Sequence, residues 1–208
     1  MRRSGSEARV LYDPQELDEP LVPDDVLAER ARRGSGAAFA TLVARHRDAV
    51  YTIARNICAT SGEVEAVLRQ GFLAAWRDFR SFPAGARFTT WLYGIAMRTA
   101  LAHRQRHRRS SCSLEPFLPA FDGAGRLVAR KERSPALGGS HSGRIEVIGL
   151  LQEALQCMDD QPCAVFVLHD LLELTVEEAA VILETSPRAV RRDVDRSRLM
   201  LRGFLDQL

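Results

Sequence analysis

The chemistry of this sequence is concentrated in its arginines, and the most informative group lies in the stretch TVEEAAVILETSPRAVRRDVDRSRLMLRGFL (175–205). Thr175 is followed three residues later by Glu178, the capping-box spacing that begins a helix. Ser186 and Pro187 suit the N-cap and the first position of a second helix. A short helix, a three-residue turn and a second helix that carries arginines predict a helix-turn-helix, which places its second helix in the DNA major groove.

The arginines of this second helix can contact DNA in two ways. Arg188, Arg191 and Arg192 lie in its first turn and a half and face away from the apolar stripe of Val190 and Val194. Arginine at such positions can donate two hydrogen bonds to guanine, whereas the arginines farther along suit phosphates. A helical hairpin with a solvent-exposed arginine face is the alternative. The predicted duplex-binding residues are Arg188, Ala189, Arg191, Arg192, Arg196 and Arg198.

Two acids interrupt this arginine cluster. Asp193 and Asp195 could pair with arginines one turn away, accept a hydrogen bond from a cytosine amine, or repel phosphate. Pairing with arginine is the interpretation that we favour.

A second basic element, RTALAHRQRHRR (98–109), contains no acid and continues the aromatic stretch FTTWLYGIA (88–96). Aromatic rings beside cationic side chains are what single-stranded nucleic acid binding requires, because bases stack and phosphates are neutralised. For Trp91, stacking on bases and packing in the core are equally favoured, whereas stacking is preferred for Tyr93 and for the loop 81–86. The predicted single-strand-binding residues are Arg87, Phe88, Trp91, Tyr93, Arg98, Arg104 and Arg106.

Catalytic chemistry finds little support in the sequence. His103 and His107 are four residues apart, as two metal ligands on one helix can be, but Cys112 is the single obvious third ligand. We find no glycine-rich phosphate loop and no Ser/His/Asp set. The sequence therefore predicts no metal, no cofactor and no enzyme, and an enzyme that acts on nucleic acid through such a metal is the least favoured alternative.

The elements that must position these residues are helices. Apolar residues recur at helical spacing in three stretches before residue 100, and four short helical patterns follow residue 145. No stretch alternates with the period of a strand. The sequence predicts an all-α protein of two small helical domains joined by a flexible linker rich in Gly, Pro and Ser. The predicted divisions are a mobile tail (1–23), a first domain (24–109), a linker (110–144) and a second domain (145–208).

Charge is distributed unevenly along this chain of 208 residues, whose net charge is +2. Residues 81–133 hold nine Arg and one Lys against three acids, or +7, and residues 145–208 hold six Arg against twelve acids, or −6. No apolar run approaches the ~20 residues that span a bilayer, and no apolar segment near residue 1 predicts secretion. The four cysteines form no CxxC pair. These features predict a cytoplasmic protein with free thiols and a polyanionic partner.

The two basic elements, in this order, resemble those of a bacterial RNA polymerase sigma factor of the extracytoplasmic-function (ECF) group. The resemblance covers residues 24–109 and 145–208. AAFATLVARHRDAVYTIARNI and GFLAAWRDFRSFPAGARFTTWLYGIAMRTALAHRQRHRR are similar to sigma region 2. AVFVLHDLLELTVEEAAVILETSPRAVRRDVDRSR is similar to sigma region 4.

The resemblance implies that the first domain binds core RNA polymerase and melts the −10 element of promoter DNA, while the second reads the −35 element as duplex. It also implies an anti-sigma factor as a partner. The stretch EVEAVLRQ (63–70) stands where the family contacts polymerase. A free-standing helix-turn-helix regulator that does not engage polymerase is the alternative function. The residues that the resemblance assigns to polymerase are Glu63, Glu65, Arg69 and Gln70.

Overall fold

A computed structural model describes residues 22–83, 85–107 and 141–205 of the chain. The side chains of 107 and 141–147 are not among the described atoms. Most of the predicted mobile tail and most of the predicted linker lie outside these ranges. Within them, every regular element is helical, which confirms the predicted all-α class with a terminal helix-turn-helix.

The first four helices form one unit around an apolar core. α2 and α3 each contact α4, and α1 packs along α2. A single 3-10 turn, Phe79–Ser81, follows the third helix. The helices are α1 (Asp24–Arg32), α2 (Gly36–Ile57), α3 (Ser61–Asp78) and α4 (Phe88–His107).

Capping residues fix where two of these helices begin. The hydroxyl of Ser35 accepts a hydrogen bond from the backbone N–H of Ala38 at 3.2 Å, which satisfies one free donor at the start of α2. At the start of α3, Thr60 and Glu63 form a reciprocal capping box. Such caps stabilise a helix end by about 1 kcal/mol.

Phe79 lies at the centre of an aromatic cluster that joins α2, α3 and α4. Its ring is 5.4 Å from that of Phe39, 5.8 Å from that of Phe88 and 5.3 Å from that of Trp91. Edge-to-face and tilted ring pairs at such distances add to the free energy gained by burying the rings. This cluster holds the loop after α3 against the beginning of α4.

The last four helices form the second unit. α6 continues as one π-helical turn, Val167–Leu171, and both α6 and α7 pack on α8. α5 begins inside the segment 110–144 that the sequence assigns to the linker. Its first turn contains Ser142 and Gly143, residue types that are common in linkers, and the predicted boundary therefore lies too late in the chain. The helices are α5 (His141–Cys157), α6 (Asp160–Phe166), α7 (Val176–Ile182) and α8 (Pro187–Leu205).

The two units pack against each other. α4 contacts α7, and α2 contacts both α5 and the π-helical turn. The buried core is continuous from one unit to the other. The surfaces assigned to duplex and single-stranded DNA are therefore close together in this structure.

The cysteines differ in part from the sequence-based expectation. Cys58 and Cys163 are buried and carry free thiols. Burial, with the negative charge of Glu63 nearby, raises the pKa of Cys58 to about 12. Cys157, in contrast, is disulfide-bonded, so the prediction of free thiols is wrong at that position.

A polar network fixes α1 to the rest of the first unit. One carboxylate oxygen of Asp24 lies 2.7 Å from Nε2 of the buried His46, and the other accepts a hydrogen bond from Arg45 at 2.8 Å. Nδ1 of His46 lies 3.3 Å from the hydroxyl of Tyr93 on α4. Burial raises the pKa of Asp24, but the hydrogen bonds and charges of Arg45 and His46 outweigh it and hold this pKa below its ordinary value.

The variant Asp24→Asn is expected to lower the free energy of unfolding by ~1–2 kcal/mol at pH 7, because it removes a charge-assisted acceptor. A lowered folded-state pKa gives stability that is present above the unfolded value of 3.8 and is lost as pH falls through the folded value. In urea unfolding, the difference in free energy of unfolding between parent and variant should therefore decrease from pH 7 to pH 3.

The neighbouring Asp25→Asn is the matched control, since Asp25 is exposed and, among the described residues, accepts from the backbone N–H of Val26. It should leave the free energy of unfolding within ~0.5 kcal/mol of the parent. If the difference in free energy of unfolding between the parent and Asp24→Asn stays constant with pH, the role assigned to the charge of Asp24 is wrong.

Candidate nucleic-acid interfaces

The helix-turn-helix is built from two capped helices. The hydroxyl of Thr175 accepts from the N–H of Glu178, whose carboxylate accepts in return from the N–H of Thr175. Backbone and hydroxyl hydrogen bonds from Thr175, followed by the attraction of Arg87, outweigh desolvation and lower the pKa of Glu178. The hydroxyl of Ser186 accepts from the N–H of Ala189 at 3.2 Å and caps α8. Both predicted helix starts are present.

Three arginines near the beginning of α8 are exposed, on the side away from the buried Val190 and Val194. Arg188 and Arg192 extend from the first two turns, and Arg191 donates to Glu177 of α7 at 3.0 Å. An exposed ion pair of this kind contributes little to stability, so its arginine can exchange a carboxylate for a base edge or phosphate. This end of α8 has the arrangement of a major-groove reader.

Two arginines later in α8, Arg196 and Arg198, are partly buried or paired within the protein. Arg198 donates through Nε to Asp170 of the π-helical turn at 2.9 Å, and this bond together with the charge of Asp170 raises the pKa of Arg198. Arg196 is half-buried, and Ala189 is half-buried beside the cap. Of the predicted phosphate contacts, Arg198 would have to leave Asp170 to contact DNA.

Asp193 is a core residue of α8, 4% exposed. One of its carboxylate oxygens accepts from Nε of the adjacent Arg192 at 3.2 Å, and the other is buried with no hydrogen-bond partner among the described residues. The expected pairing with arginine is thus present, but with the neighbour in sequence rather than one turn away. Asp195 is exposed.

The predicted single-strand surface lies on the first half of α4. Arg87 and Arg98 are exposed, and Trp91 between them is half-buried. These residues line a cleft of about 480 Å³ whose opposite wall is α7. Arg87 is paired with Glu178, and Nη1 of Arg98 lies 3.5 Å from a carboxylate oxygen of Glu184.

Gly94 of α4 lines this cleft opposite α7. A Cβ atom at this position would lie 3.3 Å from Nη1 of Arg98 and 4.0 Å from the backbone oxygen of Ile182. A methyl group would therefore require the guanidinium of Arg98 to shift, while its distance to α7 would be an ordinary contact.

Two aromatic residues assigned to base stacking are instead in the core. Phe88 is 4% exposed within the aromatic cluster around Phe79, and Tyr93 is 7% exposed beside His46. The preference for Tyr93 over Trp91 as a stacking residue is therefore wrong in this structure. The physical reason is helical geometry, since Tyr93 faces α2, whereas Trp91 lies toward the open cleft.

The assignment of Arg104 to single-strand binding is also wrong, because its side chain is only 2% exposed and cannot contact DNA in this structure. Its guanidinium donates to Asp160 at 2.9 Å and to the backbone oxygen of Leu155 at 3.0 Å. Arg106, two residues later, is exposed, and among the described residues it donates to the backbone oxygen of Ala102 in its own helix. A basic run on one helix thus contains one structural arginine and one exposed arginine.

The residues assigned to polymerase lie on α3, and one of them is a helix cap. Glu63 is buried, and its carboxylate accepts from the N–H groups of Ala59 and Thr60 at 3.0 and 2.9 Å, so its assignment as a contact residue is wrong in this structure. Glu65 and Arg69 are exposed. Gln70 is exposed and bonded to His103 at 3.0 Å.

The same helix exposes two large apolar residues that sequence reasoning missed. Leu73 is 47% exposed, and Trp76 is 44% exposed and stacks against Phe39 at 4.9 Å. Exposed apolar residues bordered by charge are typical of protein-binding surfaces. The helical spacing of Trp76 indicates a core position, so the sequence offered no contrary signal for that residue.

The described side chains bring no three or more His, Cys, Asp or Glu together in an arrangement that could hold a metal ion. His103 is buried and lies against Gln70. The helices in the described ranges also include none that is long and apolar enough to cross a membrane.

Two family models match separate parts of the chain. The model of sigma-70 region 2 matches residues 42–110, and the model of sigma-70 region 4 matches residues 148–201. The first match contains most of α2, all of α3 and all of α4. The second contains the helix-turn-helix.

Several known proteins are similar to the chain over most of its length. The RNA polymerase sigma factor CnrH of Cupriavidus metallidurans is 30% identical over 192 residues, which cover 90% of this chain and 96% of CnrH. The sigma factor NccH of Alcaligenes xylosoxydans xylosoxydans is 29% identical, with 91% and 97% covered. The ECF sigma-E factor of Escherichia coli K12 is 29% identical, with 84% and 90% covered.

Two solved structures share the fold. CnrH in complex with the cytosolic domain of CnrY has a TM-score of 0.67 at 26% identity and covers 88% of this chain and 97% of its own. The sigma factor RpoE in complex with the anti-sigma factor NepR, from Bartonella quintana, has a TM-score of 0.57 at 17% identity, with 80% and 96% covered. The second likeness concerns the fold alone.

Proposed function

Because the chain belongs to the sigma-70 family, as an RNA polymerase sigma factor of the ECF group, we propose that its two helical units read two elements of one promoter. A protein of this family acts in transcription initiation. In the proposal, α8 reads the −35 element as duplex, and the cleft face of α4 binds the melted strand of the −10 element. The chain confers specificity on core RNA polymerase and performs no catalysis of its own.

The observation that carries the proposal is the presence of two different arginine surfaces on one chain. Arg188, Arg191 and Arg192 lie at the beginning of a helix-turn-helix reading helix, the geometry for base edges in a duplex. Arg87 and Arg98 flank an accessible Trp91, the combination suited to a strand with unstacked bases. Binding of duplex and single strand by one chain is what promoter recognition followed by melting requires.

We propose that α3 is the polymerase-binding face. Glu65, Arg69 and Gln70 are on its exposed side, and Leu73 and Trp76 extend that side with apolar surface. Protein interfaces combine such an apolar centre with a polar rim. Glu63 is left out of this surface because its carboxylate caps the helix.

The remaining assignments follow from the family. We propose residues 24–109 as the core- and −10-binding unit, 145–208 as the −35-binding unit, 110–144 as the tether and 1–23 as a tail. A tether raises the effective concentration of the second unit once the first is bound. CnrH was solved with a protein partner, and an anti-sigma factor is the corresponding partner proposed for this chain. The cytoplasm, where RNA polymerase meets promoter DNA, is the proposed location.

The decisive experiment adds the purified chain to core RNA polymerase and maps melted DNA with permanganate. Promoters would be identified by mapping transcription starts after overexpression. Melting that needs both chain and core enzyme is expected. A chain that binds duplex DNA alone and never melts it with polymerase would be a free-standing regulator instead.

Base readout by α8 can be tested with single alanine variants. Arg188→Ala, Arg191→Ala and Arg192→Ala should each weaken −35 binding by ~1–3 kcal/mol and relax specificity at one base pair, because each removes a directional pair of donors. Arg202→Ala, near the end of the same helix, should weaken all sequences alike. Binding to a panel of −35 duplexes measures both effects, and equal sequence-blind losses at all four positions would refute base readout.

The single-strand surface can be tested with the double variant Arg87→Ala/Arg98→Ala. Melting should fall about tenfold or more, and the salt dependence of single-strand binding should decrease by about two phosphate contacts. −35 duplex binding should be retained. Arg77→Ala/Arg80→Ala, at two exposed positions, one in the last turn of α3 and one in the 3-10 turn that follows it, is the matched control. Normal permanganate reactivity in the cleft variant would show that the melted strand binds elsewhere.

The polymerase face can be tested by charge reversal at Glu65. Glu65→Arg should weaken capture by core polymerase on the order of tenfold, because like charges across an interface are costly. Circular dichroism should be unchanged, since this side chain is exposed. Asp48→Arg, at a side chain 93% exposed on α2, is the control. A pull-down in which both variants retain parental affinity would place the polymerase contact on another face.

A further inference from the structure

The buried carboxylate of Asp193 has no role in the DNA contacts proposed above. Its side chain is 6% exposed, although it belongs to the helix that carries the exposed arginines. One oxygen accepts from Nε of Arg192 at 3.2 Å, and the other has no hydrogen-bond partner among the described residues. Removing a carboxylate from water costs free energy that a single hydrogen bond offsets only in part. An acid at this position therefore needs an explanation other than stability.

Two structural roles that are common for an aspartate in a helix do not apply to Asp193. It is the seventh residue of α8, beyond the first turn, where the free backbone N–H groups of a helix lie. The cap of this helix is Ser186. The buried hydroxyl of Ser197, one turn further along, donates to the backbone oxygen of Val194 instead of to this carboxylate. Within the described part of the chain, the partner of Asp193 is the guanidinium of Arg192.

The contact between Arg192 and Asp193 is uncommon, because residues that are adjacent in a helix do not normally face each other. The side chain of Arg192 is 73% exposed, yet its Nε lies against the buried carboxylate. The guanidinium is thus held at the nitrogen nearest the aliphatic chain. Nη1 and Nη2 lie beyond this point, and no acceptor among the described residues occupies them. A long side chain with many rotamers is in this way fixed before it meets a ligand.

The donors that remain on Arg192 match the major-groove edge of guanine. Guanine presents two acceptors there, N7 and O6, and arginine binds them with two parallel N–H groups. A guanidinium can supply such a pair either from Nη1 and Nη2 or from Nε and one of the Nη atoms. Because Asp193 holds Nε, the pair that remains is Nη1 and Nη2. The carboxylate thus selects one donor pair without occupying it.

Arg191 has the opposite arrangement one residue earlier. Its terminal Nη2 donates to Glu177 at 3.0 Å, so this acid occupies part of the donor pair itself. The two side chains are 63% and 64% exposed, and an ion pair of this kind exchanges readily. Arg191 must therefore leave Glu177 before it donates to a base through that pair, whereas Arg192 can keep its contact with Asp193 throughout.

We propose that Asp193 is a positioning residue for sequence reading, which holds Arg192 ready to bind one guanine of the −35 element through Nη1 and Nη2. The inference rests on the proposed function, because a fixed donor pair matters only if α8 enters the major groove of a promoter. A donor pair that cannot turn freely toward a phosphate or another base discriminates more sharply between bases. Among the exposed arginines at the beginning of α8, Arg192 is then the strongest determinant of specificity.

The test measures binding of the full-length chain, with core RNA polymerase present, to a panel of −35 duplexes in which each base pair is substituted in turn. The variant Arg192→Ala identifies the base pair that Arg192 reads, and the readout is the ratio of affinities for guanine over the other bases at that pair. Asp193→Ala should lower this ratio about tenfold, because the donor pair is no longer fixed. The isosteric Asp193→Asn keeps an acceptor without the charge and should lower the ratio about threefold.

Repeating Asp193→Ala in the Arg192→Ala background separates positioning from a merely structural role. If Asp193 acts through Arg192, its removal there should leave every base ratio unchanged, because the group that it positions is already gone. A structural role would instead weaken binding to all duplexes by the same factor in both backgrounds, and that result would overturn the proposal. Urea unfolding checks that each variant folds. Should Asp193→Ala fail to fold, the same cycle with Asp193→Asn decides.

Asp195→Ala is the matched control, since it removes the same charge from an exposed position two residues further along α8. It should change the affinity for all duplexes alike and leave the guanine ratio at the parental value. A ratio that falls as far as in Asp193→Ala would show that net charge, and not the contact with Arg192, sets the discrimination. An unchanged ratio in both Asp193 variants would overturn positioning and leave −35 reading intact. A parent chain without any preference among the duplexes would overturn the proposed −35 reading itself.

Discussion

A charged guanidinium excluded from water must find a hydrogen-bond acceptor for every direction in which it donates, and this requirement governs how the two halves of the molecule meet. Arg104 finds its acceptors at the ends of α2 and α5 and in the first turn of α6. Satisfying them all requires these three helix ends to converge on one point. The orientation of α5 in turn positions α6 and α8, and with them the whole helix-turn-helix. The contact between α7 and α4 lies in the same interface and has its own ion pairs, Arg87 with Glu178 and Arg98 with Glu184.

The arginines of this chain fall into two groups, a buried structural one and several exposed ones, and the two groups differ in their hydrogen-bond partners. Arg104 is enclosed by carbonyl groups, whereas Arg87, Arg98 and Arg191 each meet an exposed or half-buried carboxylate of the second unit. Solvent-exposed ion pairs contribute little and exchange readily. The acids of the second unit therefore imitate the charge of a nucleic-acid backbone while leaving the arginines available to a stronger competitor. In the part of the basic range 81–133 that the structure describes, Arg87, Arg98 and Arg104 all meet carboxylates of the acidic range 145–208.

Local patterns in the sequence predicted the helices and the reading motif, because helix starts depend on neighbouring residues. Thr175, Glu178 and Ser186 cap the helices as their spacing indicated. The spacing of Thr60 and Glu63 carried the same capping signal and would have excluded Glu63 from the polymerase surface. Arg104 could not have been found in this way. Its partners lie about fifty residues away, and a basic run contains no sign of which arginine is buried. The burial of Asp193 and Tyr93 likewise depends on the helix face on which each lies.

The space at Gly94 limits which residue the floor of the cleft can carry. A methyl group there would lie 3.3 Å from Nη1 of Arg98, so this guanidinium would have to shift, whereas the backbone oxygen of Ile182 would be at an ordinary contact distance of 4.0 Å. Alanine at position 94 would therefore move a cation of the proposed single-strand surface and leave the contact between α4 and α7 in place. A substitution that neither adds nor removes a charge would in this way alter how tightly the cleft holds a phosphate.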